Sequence, residues 1–128
     1  MPTKNQRTGK RGEDAALAWL QKRGYRLLER NWRHHRYEID LIFEKEGQLI
    51  FVEVKTRTHD SRVERDELPA IQPAQQERIF DAAVAYAEAL EHEGEIRFDL
   101  FAVLLAVDGC VLEVEHLPNA FYPGMPFF

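Results

Sequence analysis

Two carboxylates that a hairpin would bring face to face are the residues of this sequence best suited to chemistry. Two runs of β-forming residues flank Glu46-Gly47, one carrying Asp40 and the other carrying Glu53. A two-residue turn at Glu46-Gly47 places residues whose numbers sum to 93 opposite each other, so Asp40 faces Glu53. Like charges directly opposite destabilise a sheet, because their Cβ atoms are only about 4.5–5.5 Å apart. The pairing therefore predicts a compensating cation, and a hard divalent metal is the natural candidate.

The same hairpin face carries a lysine that fits this chemistry. Mg²⁺ or Mn²⁺ binds beside one or two carboxylates and keeps coordination sites for water and a phosphate oxygen. Such a metal polarises the phosphate and lowers the pKa of a bound water, and Lys55 would orient that water or offset developing charge. The alternative is a surface hairpin whose carboxylates face solvent and whose Lys55 pairs across the strands with Glu38. Chance produces a D…ExK spacing often, so the spacing alone does not decide.

A third acid, Glu13, falls on the apolar stripe of the first predicted helix. It shares that stripe with Leu17 and Leu20, which points its carboxylate toward the sheet that the helix should cover. Burying an acid without a partner is costly, so either a metal or a cationic side chain would explain it. The alternative is that Glu13 is favoured there by the helix dipole.

The elements that position these residues follow from periodicity and breakers. The predicted segments are a helix over 12–23 ended by Gly24, a strand over 25–32, the hairpin, a mobile loop over 58–70, a helix from Pro73 to about Leu90 stopped by Gly94, and strands over 96–107 and 110–117 joined by a type I′ turn at Asp108-Gly109. This order predicts an α/β or α+β fold with a central mixed sheet of about four or five strands flanked by helices.

Side-chain alternation predicts what each hairpin strand buries. One face carries three apolar residues from each strand: Ile39, Leu41 and Phe43 against Val54, Val52 and Ile50. The second helix should bury its inner stripe of Ile79, Ala82, Ala83, Tyr86 and Leu90. Trp19 is likewise assigned to the core rather than to base stacking.

Length and composition predict a single domain over residues 1–128, with a basic lead over 1–11 and an aromatic, proline-rich tail over 118–128 that needs cover. Cys110 is the only cysteine, which excludes an intrachain disulfide and a cysteine-rich zinc site. The start has no apolar leader, and the longest apolar run, 100–107, is far too short for a membrane span. We therefore expect a cytoplasmic protein with no membrane association.

Charge is distributed unevenly. Residues 1–36 hold ten Lys and Arg against three acids, a net charge of +7. Since the whole chain has a net charge of −5, residues 37–128 have a net charge of −12. This asymmetry suits a basic arm, including Arg7, Lys10 and Arg11, that contacts phosphates beside an acidic metal centre. The alternative is a solvated basic surface that happens to fall early in the chain.

The combined motifs resemble those of a known family. Gly12-Glu13, Glu38-Ile-Asp40, Glu53-Val-Lys55-x-Arg57 and Arg97-Phe-Asp99, in this order and spacing over roughly residues 9–105, resemble the YraN-like family of uncharacterised bacterial proteins. That family is similar to the restriction-endonuclease-like PD-(D/E)xK superfamily and to archaeal Holliday-junction resolvases. The resemblance implies that Glu13, Asp40, Glu53 and Lys55 correspond to the nuclease acids and lysine, and Arg57 to a phosphate contact.

Two positions depart from the family pattern. Tyr37 stands where the family commonly has glycine, and Gln75 stands where it usually has lysine. Arg78, one helical turn later, is a candidate to supply the positive charge that Gln75 lacks. His34-His35 is interpreted as a basic surface turn, since no further ligand lies at useful spacing. Asp99 fits either catalysis or a structural pairing with Arg97.

Three functions from different classes remain open. The first is a metal-dependent endonuclease, using Mg²⁺ or Mn²⁺, that hydrolyses phosphodiesters in structured DNA. The second is a catalytically weak nucleic-acid-binding module of DNA repair or recombination, and the third is a protein-interaction adaptor that uses the aromatic tail. Because resolvases cut two strands, a homodimer would fit the first function.

Overall fold

The computed structural model describes residues 3–59 and 71–122. Within these ranges the elements are α1 (Lys4–Gln21), β1 (Arg26–His34), β2 (Tyr37–Lys45), β3 (Gln48–Thr58), α2 (Pro73–Leu90), β4 (Ile96–Leu105) and β5 (Val111–Leu117). The five strands form one sheet in the order β1-β2-β3-β4-β5, in which only β3 and β4 are parallel, with α2 between them in the chain. This mixed sheet flanked by helices confirms the predicted class and is consistent with a restriction-endonuclease-like fold.

The sheet is covered by a helix on each face. On one face, Ala16 and Leu20 of α1 pack with Leu41, Phe43 and their neighbours on the adjacent strands. On the other, Ile79, Ala82 and Ala83 of α2 pack with Ile42, Phe51 and Phe98. Because both faces of β3 are covered, its apolar run from Leu49 to Val52 is continuous rather than alternating.

The first helix begins eight residues earlier than predicted. Thr3 caps it: the Gln6 N–H donates to the Thr3 hydroxyl at 3.1 Å, and the Thr3 N–H donates to the Gln6 side chain at 2.8 Å. The basic lead is therefore helical from Lys4. Gly12 is a contact residue rather than a helix start, since a methyl group there would collide with Thr56 on β3.

The central hairpin forms as predicted near its turn and departs from prediction near the acids. Glu46 and Gly47 both have positive φ, and the register from Lys45–Gln48 to Leu41–Val52 matches the predicted sum. The ladder ends there, so Asp40–Glu53 and Glu38–Lys55 are not ladder pairs. Instead the Asp40 side chain accepts the Val54 N–H at 2.8 Å, taking the acceptor position that the register would give to the Ile39 carbonyl.

Because the Asp40 side chain replaces a backbone acceptor, the predicted core face is wrong at Ile39. Ile39 lies in the cluster under α2, whereas Leu41 and Val54 lie on the α1 side, so the alternation of side chains along β2 breaks at Asp40. Asn31, at the corresponding position of β1, has a left-handed backbone with φ of 53°. Both strands therefore deform at the level of the candidate site.

Several helix and turn details differ from the predictions. The helix α2 has the predicted bounds, but Leu90 is 49% exposed and the helix ends at Glu91, which is left-handed, three residues before Gly94. The β4–β5 turn is not type I′, since of Asp108 and Gly109 only Gly109 has positive φ. Its shape is set by the Asp108 carboxylate, which accepts the Cys110 N–H at 2.9 Å.

The start of the tail folds back on the domain. Phe121 is buried against Phe98, and the Ala120 N–H donates to the Phe98 carbonyl at 2.8 Å. Residues 123–128 and all but the first two residues of the predicted loop 58–70 lie outside the described residues. Among the described helices, none has the length and apolar character needed to cross a membrane.

Candidate active site

Asp40 and Glu53 meet where β2 and β3 separate. Because the Val54 N–H is bound to the Asp40 carboxylate, Asp40 is held against the strand that carries Glu53. The two carboxyl groups lie close enough together that the charge of Asp40 acts on Glu53. Glu53 is only 4% exposed, and its Oε1 is buried without a hydrogen-bond partner in the described structure. The sequence-predicted pair is thus brought together with one oxygen still unsatisfied.

Both acids hold their protons more tightly than usual. Burial raises the pKa of Asp40 to about 6, with the Val54 N–H opposing the rise and the charges of Glu13 and Glu38 adding to it. Burial and then the charge of Asp40 raise the pKa of Glu53 well above its ordinary value, while Lys55 opposes that rise. A cation between the two carboxyl groups would stabilise their charged forms and lower both pKa values.

Glu13 reaches the edge of this site but has a cationic partner. Its carboxylate accepts from Asn31 Nδ2 at 2.9 Å and from Arg30 Nε at 3.4 Å. The same Asn31 amide donates to Glu38 Oε1 at 3.0 Å, so it bridges the two acids. Asn31 was not singled out from the sequence, although an asparagine within a strand is one sign of a left-handed position.

Lys55 lies two residues beyond Glu53 on β3, and its charge acts on Glu53. The surface-hairpin alternative required Glu38 to pair with Lys55, and the structure does not show this pair. Glu38 pairs instead with Arg33, whose Nη2 lies 3.1 Å from Glu38 Oε2. Lys55 is therefore available to the acids rather than committed to that cross-strand pair.

Tyr37 and Gln75, the two departures from the family pattern, meet each other beside Glu53. Gln75 Nε2 of α2 donates to the Tyr37 hydroxyl at 3.3 Å. The Tyr37 hydroxyl lies close enough to Glu53 that burial and then the Glu53 charge raise the pKa of Tyr37. Both positions depart from the family pattern in the sequence, but their spacing of 38 residues does not predict that they contact each other.

The predicted phosphate contacts are divided among three places. Lys10 lines a groove of about 660 Å³ that also contains Glu13 and Glu38. Arg7 and Arg11 line a cleft of about 640 Å³ on the opposite flank of α1, against the β4–β5 turn. Arg57 is exposed near the end of β3. Lys10 thus shares a groove with two acids of the candidate site, Glu13 and Glu38.

Asp99 belongs to a separate buried network. Its carboxylate accepts two bonds from Arg97 at 2.8 Å, one from His116 at 2.7 Å and the Asn119 N–H at 2.9 Å. Burial would raise the pKa of Asp99, but these hydrogen bonds outweigh it and hold the pKa below its ordinary value. The structural pairing with Arg97 is the alternative that the geometry bears out.

We call the point where β2 and β3 separate, at Asp40 and Glu53, the strand fork. The oxygen atoms available there fit a hard divalent cation. Asp40 and Glu53 supply carboxylate oxygens, and the unsatisfied Glu53 Oε1 is a ready ligand atom. Among residues 3–59 and 71–122, however, no group of three or more acid, histidine or cysteine side chains is arranged to hold a metal. A cation here would therefore take its remaining ligands from water or from a phosphate.

Comparison with known proteins places the chain in a family. Residues 12–103 match the family described as "Uncharacterised protein family UPF0102". A UPF0102 protein of Bacteroides thetaiotaomicron is 35% identical over 91% of this chain and 93% of its own length. Corresponding proteins of Chlorobium phaeobacteroides and Trichlorobacter lovleyi are 41% and 42% identical over 88% and 91% of this chain, covering 92% and 91% of their own lengths. The motif-based prediction of a YraN-like protein is thereby confirmed, and the chain belongs to family UPF0102.

Proposed function

We propose that this protein is a metal-dependent endonuclease that hydrolyses phosphodiesters in structured DNA. The observation that carries the proposal is the strand fork, where a buried, unsatisfied Glu53 oxygen lies beside the elevated-pKa carboxyl of Asp40. Acids in such an arrangement are costly to the fold unless a cation or proton compensates them. Perturbed carboxylates of this kind cluster at functional sites.

The chain's own residues divide the work. Asp40 and Glu53 would hold Mg²⁺ or Mn²⁺, which when bound polarises a phosphate and lowers the pKa of a water. The Lys55 ammonium offsets charge that develops on the phosphate oxygens, because it follows Glu53 on the same strand face. Tyr37 and Gln75 fix the Glu53 side chain from the α2 side.

The basic residues of α1 neutralise the substrate backbone. Lys10 extends from the acids along their shared groove, while Arg7 and Arg11 contact a more distant part of the nucleic acid from the other flank. Arg57 contacts phosphate beyond Lys55 on β3. Glu13, tied to Arg30 and Asn31, sets the orientation of α1 against the fork.

A second function is favoured by one observation. Glu13 is satisfied by Arg30 and Asn31, and the described residues present two candidate metal ligands rather than three. A nucleic-acid-binding module that keeps the acidic cluster but performs little chemistry would have this arrangement.

The experiment is a titration of Mg²⁺ and Mn²⁺ by calorimetry at low salt, followed by cleavage assays on branched, nicked and single-stranded DNA. We expect wild type to bind about one metal and cleave, and Asp40→Asn to lose both activities. Glu44→Gln is the matched control, since Glu44 lies on the same strand and pairs with exposed Arg26. DNA binding without cleavage in either metal would instead establish the second function.

A further inference from the structure

An open groove lies beside the candidate site, between the β1–β2 turn and α2. Its volume is about 520 Å³, within the range of small-ligand sites. Its lining combines aromatic or imidazole rings with charged side chains: His34, His35, Arg36, Tyr37, Arg78 and Asp81. None of these groups is used by the proposed hydrolysis except Tyr37.

The rings of the groove are held in place from behind. His34 and His35 lie with ring centroids 4.2 Å apart. Trp32 stacks on His34 at 6.0 Å with an interplanar angle of 10°, and Trp32 itself contacts Tyr86 of α2 edge-to-face at 5.1 Å. His35 is left-handed, with φ of 55°, and its side chain is exposed at the turn. The turn therefore presents a supported ring surface rather than a freely solvated basic loop.

The charges of the groove suit a phosphate next to that ring surface. Arg36 and Arg78 approach from the turn and from α2, against the single carboxylate of Asp81. Guanidinium groups bind phosphate oxygens and also stack on bases. Rings and guanidinium groups in one groove are the arrangement that recognises an unstacked nucleotide.

The groove is joined to the strand fork through one side chain. Tyr37 lines the groove, and its hydroxyl lies against Glu53. A nucleotide in the groove would therefore be a close neighbour of a phosphate bound at Asp40 and Glu53. A base paired within a duplex could not reach the rings, because its faces are stacked on neighbouring bases.

We propose that this groove binds one unpaired nucleotide adjacent to the phosphodiester held at Asp40 and Glu53, with its base on the His34–His35 surface and its phosphate at Arg36 and Arg78. The proposal rests on the proposed function and defines its substrate as DNA with an unpaired nucleotide beside the scissile bond. Base recognition by the groove is itself independent of hydrolysis.

The test uses two single-stranded oligonucleotides of equal length, one with adenine bases and one with abasic sites, so that phosphate charge is matched. Binding is followed by Trp32 fluorescence in the Trp19→Phe protein, with EDTA present to prevent cleavage; Trp19 and Trp32 are the chain's two tryptophans. Since stacking contributes about fivefold or more per base, we expect the adenine oligonucleotide to bind at least about fivefold tighter and alone to change Trp32 emission.

Two variants separate the ring surface from the charges. His35→Asn keeps a residue that tolerates the left-handed backbone and should remove most of the preference for bases. Arg78→Gln should weaken both oligonucleotides alike. The control Arg26→Gln changes an exposed arginine at the far end of β1, paired with Glu44, and should leave the preference intact.

Equal affinity for the two oligonucleotides would overturn the proposal, as would a base preference that survives His35→Asn. A base preference without any metal-dependent cleavage would keep the groove and reject the nuclease. Metal-dependent cleavage without a base preference would support the nuclease and reject the nucleotide groove.

Discussion

At the scale of single residues, Asp40 has two tasks that oppose each other. Its carboxylate replaces a backbone acceptor for the Val54 N–H, which favours the charged form, yet burial and neighbouring acids favour the protonated form. The second effect is larger, since the pKa of Asp40 is raised to about 6. Without a cation, the site therefore lowers the stability of the fold at neutral pH.

Asp40→Asn should raise the stability of the metal-free protein at pH 8. The pKa of Asp40 is higher in the folded state than its ordinary value of 3.8, so the folded state binds the proton more tightly. Stability therefore falls as pH rises from about 4 through 6, and the cost is complete above that window. We expect Tm in EDTA to rise by several °C at pH 8 and to change little at pH 4, measured by thermal denaturation.

Glu44→Gln is the control for this measurement, because an exposed ion pair contributes less than about 1 kcal/mol. Its Tm should stay near that of wild type at both pH values. A lower Tm for Asp40→Asn at pH 8 would mean that the Val54 hydrogen bond outweighs the charge cost.

At the scale of elements, a helix or strand is predictable from the sequence when the interactions that determine it join residues close together in the chain. The Glu46-Gly47 turn and the bounds of α2 depend on residues adjacent in sequence, and both were predicted. The break in alternation at Asp40 depends on a side chain bonding to another strand, which no periodicity encodes. The start of α1 is hard to predict for a different reason: glycines at 9 and 12 resemble helix breakers, whereas the Thr3–Gln6 capping box that begins the helix lies upstream of both.

The candidate site shows the same division. The proximity of Asp40 to Glu53 is predictable because the two residues lie on adjacent strands of a short hairpin, although they are not ladder pairs. Arg30 and Asn31 as partners of Glu13, and Gln75 as the partner of Tyr37, depend on how the helices dock on the sheet. Those contacts required the tertiary structure.

Gly12→Ala should lower the free energy of unfolding by about 1–3 kcal/mol. A methyl group at position 12 would overlap the Thr56 side chain, so α1 would have to move away from β3. Gly9→Ala is the matched change in the same helix, with no atom within 4 Å of the added carbon, and should stabilise by about 0.5–1 kcal/mol. Urea denaturation of both variants measures the difference, and equal effects would show that the close approach of α1 is unimportant.

At the scale of the whole molecule, two polar centres have opposite relations to stability. The Asp99 network joins β4 to β5 and to Tyr25 before β1, since Arg97 donates to Asp99 and to the Tyr25 hydroxyl at 2.7 Å. Its hydrogen bonds satisfy the buried carboxylate, whereas the strand fork leaves Glu53 Oε1 unsatisfied. The first centre holds the fold together and the second leaves bonding capacity for a ligand.

Asp99→Asn should therefore destabilise strongly, by about 3–5 kcal/mol at pH 7, because it leaves the Arg97 charge uncompensated. The pKa of Asp99 is below its ordinary value, so its contribution is present above about pH 4 and is lost as pH falls through the folded-state pKa. The difference in Tm between wild type and Asp99→Asn should shrink toward low pH. A difference that is constant with pH would exclude the charge as its cause.

If the protein binds DNA as proposed, its salt dependence should report both flanks of α1. Arg7→Gln and Lys10→Gln should each reduce the slope of log affinity against log salt by about one. Lys22→Gln, at the other end of the helix, should leave the slope unchanged. Equal slopes for all three variants would argue that the basic residues of 1–36 act only as a diffuse charge.

Asn31 limits which amino acids the neighbourhood of the site can accept. Its left-handed backbone favours glycine, asparagine or aspartate, while the bridge between Glu13 and Glu38 needs a side-chain donor. Glycine satisfies the first demand alone and glutamine the second alone, and aspartate would add a third negative charge between two acids. Asparagine meets both demands with one short side chain, so we expect Asn31→Gly to lose the bridge and Asn31→Gln to strain the backbone.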